Sequence, residues 1–358
     1  MFDQLSNEDI SKALAELVAS LGIKEDVAPE DFLTPLRRNN TDECVLGIAN
    51  QLGLPIRISL SYVSKEFRPG NTDGFRSSAL SRTDRNGRGI DGIFAQVAIP
   101  PNLPMFGTPE LQGYPIRVRV SENCLARPDT FVAIMAHELS HVLLASLWSP
   151  HKDCELHTDL VPILLGFRNA VRIGRKSIER TTTGDTTTTQ TTTYGYLSDA
   201  QFDFAYRYAG DLLMRHDRDK EQFQMRVRQL RDDLDETTRS LVAFRDYFSY
   251  LNNNPPEKMK KEHAQRVVQL HSQDWAQNWE SRIAACTATL EATDLFARGF
   301  NHYTSRTIER LKTHTCALEQ ASDGVRLLLA EIGKDKNILR KYVSVGYRLR
   351  RLLRSHSH

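Results

Sequence analysis

The chain has 358 residues, 40% of them hydrophobic and 26% charged, with a formal net charge of +2 at pH 7. That length supports two or three domains around a sizeable core, and the near-neutral balance gives no electrostatic case for nucleic acid or an anionic membrane. Five scattered cysteines (Cys44, Cys124, Cys154, Cys286, Cys316) form no C-x-x-C pair, the Met1–Ile10 start carries no apolar core, and polar residues interrupt the longest apolar run, so the expectation is a cytoplasmic protein with free thiols, no secretory signal and no membrane span.

Ser6, with Asp9 three residues on, is placed to cap a first helix whose apolar positions Ile10, Leu14, Leu17 and Leu21 step by 4, 3 and 4 before Gly22. A second helix is predicted from Thr41 to Leu52, and Ile56–Leu60 alternates like a half-buried strand. Lys65–Gly92 is rich in Gly, Arg, Ser, Asp and Asn but matches no phosphate-binding pattern, so it is expected to be a loop. Ile93–Ile99 and the cleanly alternating Ile116–Val120 are predicted strands. Pro128 and Asp129 open a long helix through Ala133–Leu144, and a helical pattern resumes over Glu155–Phe167.

Thr181–Thr193 is threonine-rich and of low complexity. It is either disordered or a two-stranded flap turning at Gly184-Asp185. Ser198 is expected to cap an amphipathic helix carrying Phe202, Ala205, Tyr206 and Ala209. From Arg218 onward, Phe223, Val227, Leu230, Leu234, Thr237, Leu241, Phe244, Phe248 and Leu251 form a heptad seam, broken at Asn252–Pro256. The same stepping returns from Trp279 to Phe300 and from Ile308 to Ile332. These helices predict a coiled coil or bundle that scaffolds, self-associates or recruits a partner protein. Arginines recur from Arg340 to Arg354; a solvated helix end is expected there rather than a nucleic-acid site.

The chemistry sits in His137-Glu138-Leu139-Ser140-His141. Positions i and i+4 share a helix face, so His137 and His141 can bind one Zn2+, and Glu138 can reach a metal-bound water as general base. A catalytic zinc needs a third protein ligand. His151, Asp153, Glu155, His157 and Asp159 are the candidates. Glu155 is preferred, because Asp159 follows it by one helical turn and can accept the free ring N–H of a ligand histidine, His137; His157 remains the alternative. Leu144 and Leu147 stand where the metzincin arrangement needs glycine and histidine, which excludes it. A developing oxyanion needs a further donor, for which Tyr194, Tyr196, Tyr206 and His216 are available. Tyr196, after the flap segment and before the next helix, is the choice.

His137-Glu138-x-x-His141 followed by Glu155-x-x-x-Asp159 resembles the gluzincin metallopeptidases, over roughly Ile93 to Gly210. The layout is nearest to the soluble minigluzincins and ImmA/IrrE-like proteins. The resemblance implies an α+β zincin-like domain with a small mixed sheet, zinc held by two histidines and a glutamate, and hydrolysis of a protein or peptide substrate. It also implies that Ile116–Val120 is the sheet edge beside the metal, where an extended substrate would pair. The expected organisation is an N-terminal region (1–64), a catalytic domain (65–215) and an all-α coiled-coil domain (216–358). The competing expectation is a catalytically silent zincin-like scaffold or binding module acting through the C-terminal helices.

Overall fold

The computed structural model describes residues 5–64, 67, 75, 81–83, 95–183, 185–272, 274–298, 302–345 and 347–348. Most of the Lys65–Gly92 segment, the first two residues of the Ile93 strand, Gly184, Phe300 and much of the arginine-rich tail, with His356 and His358, lie outside these residues. The fold is α+β, with small sheets and a long C-terminal helical region. The chain divides into two compact units, 1–216 with 301–305 and 217–300 with 306–358. Segments 1–64 and 65–215 lie together in the first. Among the described residues, no helix is long and apolar enough to cross a membrane.

In the first unit, helix α1 (Asn7–Leu21) opens on a complete capping box. The Ser6 hydroxyl accepts the Asp9 N–H, and the Asp9 carboxylate accepts the Ser6 N–H. Its buried stripe is the 4-3-4 set Ile10, Leu14, Leu17 and Leu21. Strand β1 (Ile23–Lys24) and helices α2 (Glu30–Arg37) and α3 (Thr41–Leu52) follow. Strand β2 (Arg57–Val63) starts the main sheet, β3 is Ser81–Thr83, β4 is Ala95–Ala98 and β5 is Pro115–Ser121.

The main sheet runs in the order β2-β5-β4, with β2 parallel and β4 antiparallel to β5. This corrects one expectation: Ile116–Val120 is the centre of the sheet, with both hydrogen-bonding sides occupied, and cannot accept a substrate strand. Its alternation reported faithfully which face is buried, since Ile116, Val118 and Val120 are fully buried. Alternation carries no information about lateral neighbours, which come from segments distant in the chain. The guanidiniums of Arg117 and Arg119, on the strand's other face, lie over the Phe75 ring, at 5.3 and 3.8 Å from its centroid.

After the short helix α4 (Glu122–Leu125), helix α5 (Pro128–Ser146) begins with proline in its first turn. It is apolar on nearly every side, and a helix of that kind must be enclosed. It packs against α3, β4, and the next two helices, α6 (Glu155–Leu164) and α7 (Arg168–Gly174). The threonine-rich segment forms strands β6 (Lys176–Thr183) and β7 (Thr186–Tyr194), paired antiparallel from Thr183↔Thr186 to Lys176↔Thr193, with β3 on the other side of β7. Of the two alternatives for this segment, the strand-forming one is observed, in keeping with threonine's branched Cβ.

Helix α8 (Asp199–Asn253) is continuous where the sequence suggested one helix after Ser198 and another from Arg218. It is followed by α9 (Lys261–Ser272), α10 (Trp275–Arg298), β8 (His302–Tyr303) and α11 (Ser305–Arg340). β8 pairs with β1. In the second unit, Arg231 meets Asp294 and Phe244 meets Trp279, so α8 and α10 run antiparallel. Ser240 meets Lys336 and Asp233 meets Arg326, so α8 and α11 run parallel. Its core holds heptad positions Leu241, Phe244, Leu251, Trp279 and Ile332.

Candidate metal centre

The site is built where α5 meets α6. One turn of α5 puts His137 and His141 on the same face, with ring centroids 5.1 Å apart and planes at 83°. Near-perpendicular rings at that spacing can aim both Nε2 lone pairs at one point. Glu155, in the first turn of α6, brings its Oε2 to 3.3 Å from His137 Nε2 and 3.4 Å from His141 Nε2. A tetrahedral ion with bonds of about 2.0–2.1 Å holds its ligand atoms about 3.3–3.4 Å apart, so both edges that meet at Glu155 have the length of a coordination edge. All three atoms are buried, and none makes a well-aligned hydrogen bond among the described residues. Buried polar atoms are rarely left this way unless something else satisfies them. The three residues form a group that can hold a metal ion.

The far sides of the rings are fixed by α6 and by the turn after β7. His137 Nδ1 lies 2.8 Å from Asp159 Oδ1. Asp159 Oδ2 accepts the backbone N–H groups of Tyr196 and Leu197, at 2.6 and 3.2 Å. That grip requires Gly195 in a left-handed conformation (φ 91°), where an added Cβ would lie 3.2 Å from the Asp159 carboxylate. His141 Nδ1 faces the Thr158 hydroxyl at 3.3 Å. Each histidine therefore presents Nε2 to the shared point through a partner on its other nitrogen.

Glu138 is 2% exposed, and its charge reaches both His137 and Tyr196. Tyr196 is buried, with its ring stacked on that of His137 at 6.1 Å. Burial first, then the charges of Glu155, Asp159 and Glu138, raise its hydroxyl pKa far above the ordinary phenol value. It therefore stays a proton-bearing donor. Of the other three donor candidates, Tyr206 and His216 are engaged with other partners. Tyr194 is buried, and burial pushes it up to about 12. Tyr206 donates to Asn169 Oδ1, and His216 stacks on Tyr303. His157, the alternative third ligand, points away from the triangle, with its Nε2 3.4 Å from Glu16.

Burial on its own would lower the His137 pKa. The hydrogen bond to Asp159, the approach of the Glu155 carboxylate and the charges of Asp159 and Glu138 outweigh it and lift the ring to about 10. Burial likewise opposes ionisation of Glu155, but the two histidines hold it down at about 2. In the metal-free chain the His137 contribution to stability is therefore full below pH 6.5 and is lost as the pH rises towards about 10. The Glu155 contribution is present above pH 4.5 and is lost as the pH falls towards about 2. A metal ion must displace the His137 proton. Apparent Zn2+ affinity is expected to rise by up to about tenfold per pH unit above neutrality, with one proton released per ion. Calorimetry in buffers of different ionisation enthalpy measures that proton, and a pH-independent affinity would contradict the assignment.

No family model matches the chain, and neither a curated protein nor a solved structure does. What the site can do is therefore argued from its own geometry.

Proposed function

We propose that the chain is a zinc-dependent peptidase of gluzincin type, with a zincin-like first unit, that hydrolyses peptide bonds of a protein or peptide substrate. The observation that carries this reading is the convergence of three buried, unsatisfied atoms from His137, His141 and Glu155 on one point, with the carboxylate of Glu138 buried next to it. Two imidazoles and a carboxylate in a small tetrahedral face suit zinc, and they leave a fourth position for water. The mixed sheet packed on α5 through β4 supports the same reading.

When bound, zinc would acidify a water and polarise the scissile carbonyl. The chain's own residues carry the proton and the charge. Glu138 takes the proton of the attacking water and delivers it to the leaving amine. Asp159 keeps the His137 proton on Nδ1, so that Nε2 stays available as a ligand. Tyr196, held protonated beside the triangle, donates to the oxygen of the tetrahedral intermediate.

The test is metal content beside hydrolysis. Purified protein is expected to retain about one equivalent of zinc through dialysis, and to cleave an unfolded polypeptide such as casein. A chelator should stop the cleavage and added Zn2+ should restore it. Glu155→Ala should lose both zinc and cleavage, while His157→Ala keeps that zinc. The tight equivalent retained by Glu155→Ala, or cleavage indifferent to chelation, would overturn the reading.

A further inference from the structure

A second group of metal-ligating side chains lies on the other side of α6, and the proposed chemistry does not use it. His151, in the turn before α6, and His157, within α6, both direct Nε2 at one oxygen of Glu16 on α1. The distances are 3.3 Å from His151 and 3.4 Å from His157 to Glu16 Oε2. These are again the ligand–ligand distances of a tetrahedral site with bonds of about 2.0–2.1 Å. The three atoms lie within 4.8 Å of one another. His157 is buried, and its other ring nitrogen faces Cys154 Sγ at 3.2 Å, so its orientation is set from both sides.

We infer that Glu16, His151 and His157 form a second divalent-cation site, of the zinc class, weaker than the first and joining α1 to the start of α6. It is weaker because it is only partly preformed. The two imidazoles are stacked in parallel, 3.9 Å apart with planes at 2°. Parallel rings send their lone pairs side by side rather than to one point, unlike the crossed rings of His137 and His141. One ring must turn to close on an ion. His151 is the one that can, since its side chain is 40% exposed in a turn while that of His157 is 8% exposed in a helix. The donor set of two imidazoles and one carboxylate matches that of the first site and favours the same class of ion. Because Glu155 and His157 share the first turn of α6, an ion here would tie that turn, Glu155 included, to α1.

The experiment is a Zn2+ titration of full-length metal-free protein by calorimetry, with melting temperature as a second readout. Wild type is expected to bind two equivalents, the second at least about tenfold weaker. The weak equivalent should raise the melting temperature further. His151→Ala, which alters an exposed turn, and Glu16→Gln, which keeps shape and removes charge, should each lose the weak equivalent and its thermal shift while keeping the tight one. Glu155→Ala should do the reverse. Binding of one equivalent only, lost in Glu155→Ala, would overturn the second site, as would two equivalents retained in both His151→Ala and Glu16→Gln. One equivalent lost in His151→Ala but kept in Glu155→Ala would support the second site and remove the first.

Discussion

Glu138→Gln is expected to leave zinc content and melting temperature near those of the parent and to cut the rate of peptide hydrolysis by roughly two to four orders of magnitude, the usual contribution of a positioned general base. That corresponds to about 3–5 kcal/mol in the barrier. Glutamine has the shape of glutamate and fills the same buried position, 2% exposed on α5, so packing is unchanged. The amide cannot accept the water's proton. Metal should stay, because His137, His141 and Glu155 form the group able to hold it and Glu138 is not part of that group. Removing a buried negative charge beside His137 should, if anything, ease deprotonation of that ring, since the Glu138 charge is among the causes that raise its pKa. Metal content by elemental analysis and kcat on one substrate separate the two effects. Undiminished cleavage would sink the mechanism, and loss of metal would mean that Glu138 is itself a ligand.

Asp159→Asn is expected to weaken zinc binding by roughly 10–100-fold, the typical loss when the partner of a ligand histidine is removed. The carboxylate accepts on both sides: His137 Nδ1 at 2.8 Å on one oxygen, and the Tyr196 and Leu197 N–H groups on the other. An asparagine has one acceptor and one donor end, and it can serve only one side. With the amide oxygen toward the backbone N–H groups, its NH2 faces His137 and selects the tautomer protonated on Nε2, which cannot bind a metal. Turned the other way, the NH2 meets two backbone donors and leaves them unsatisfied, at about 1–3 kcal/mol each. The first arrangement keeps the fold and loses the metal; the second loses stability. Either is visible when zinc affinity and melting temperature are measured on the same variant. Parental values of both would show that Asp159 has no part in the site.

The sequence made the local half of this site readable and left the non-local half open. His137, Glu138 and His141 lie within five residues, so helix periodicity alone puts the two imidazoles on one face. Glu155 comes 14 residues later, across a turn; its spacing to Asp159 favoured it over His157, but how α6 packs on α5 is not written in that spacing. The two side chains are only two residues apart but leave α6 in different directions, Glu155 toward His137 and His157 toward Glu16. Glu16 carried no signal at all, because its partners lie more than 130 residues away and an acidic residue on an exposed helix face looks ordinary. His151-x-x-Cys154-x-x-His157 is the one trace that could have raised it. The position of Ile116–Val120 at the sheet centre was hidden for a related reason: a strand's own residues report its faces, and only its distant partners decide whether it is an edge. The C-terminal helices were largely readable because a 4-3 apolar repeat is a local property, although it did not reveal that Ser198 and Arg218 open one uninterrupted helix.

The turn at Gly195–Leu197 ends the threonine-rich hairpin and grips Asp159, which in turn orients His137. The end of β7 and the His137 ring are thus two ends of one short chain of hydrogen bonds. Coupling of this kind is reciprocal. An ion held by His137 would be linked to the hairpin through that chain, and order in the one would then stabilise the other by the same free energy. A segment whose composition resembles a linker would thereby bear on the occupancy of such a centre without supplying a single ligand.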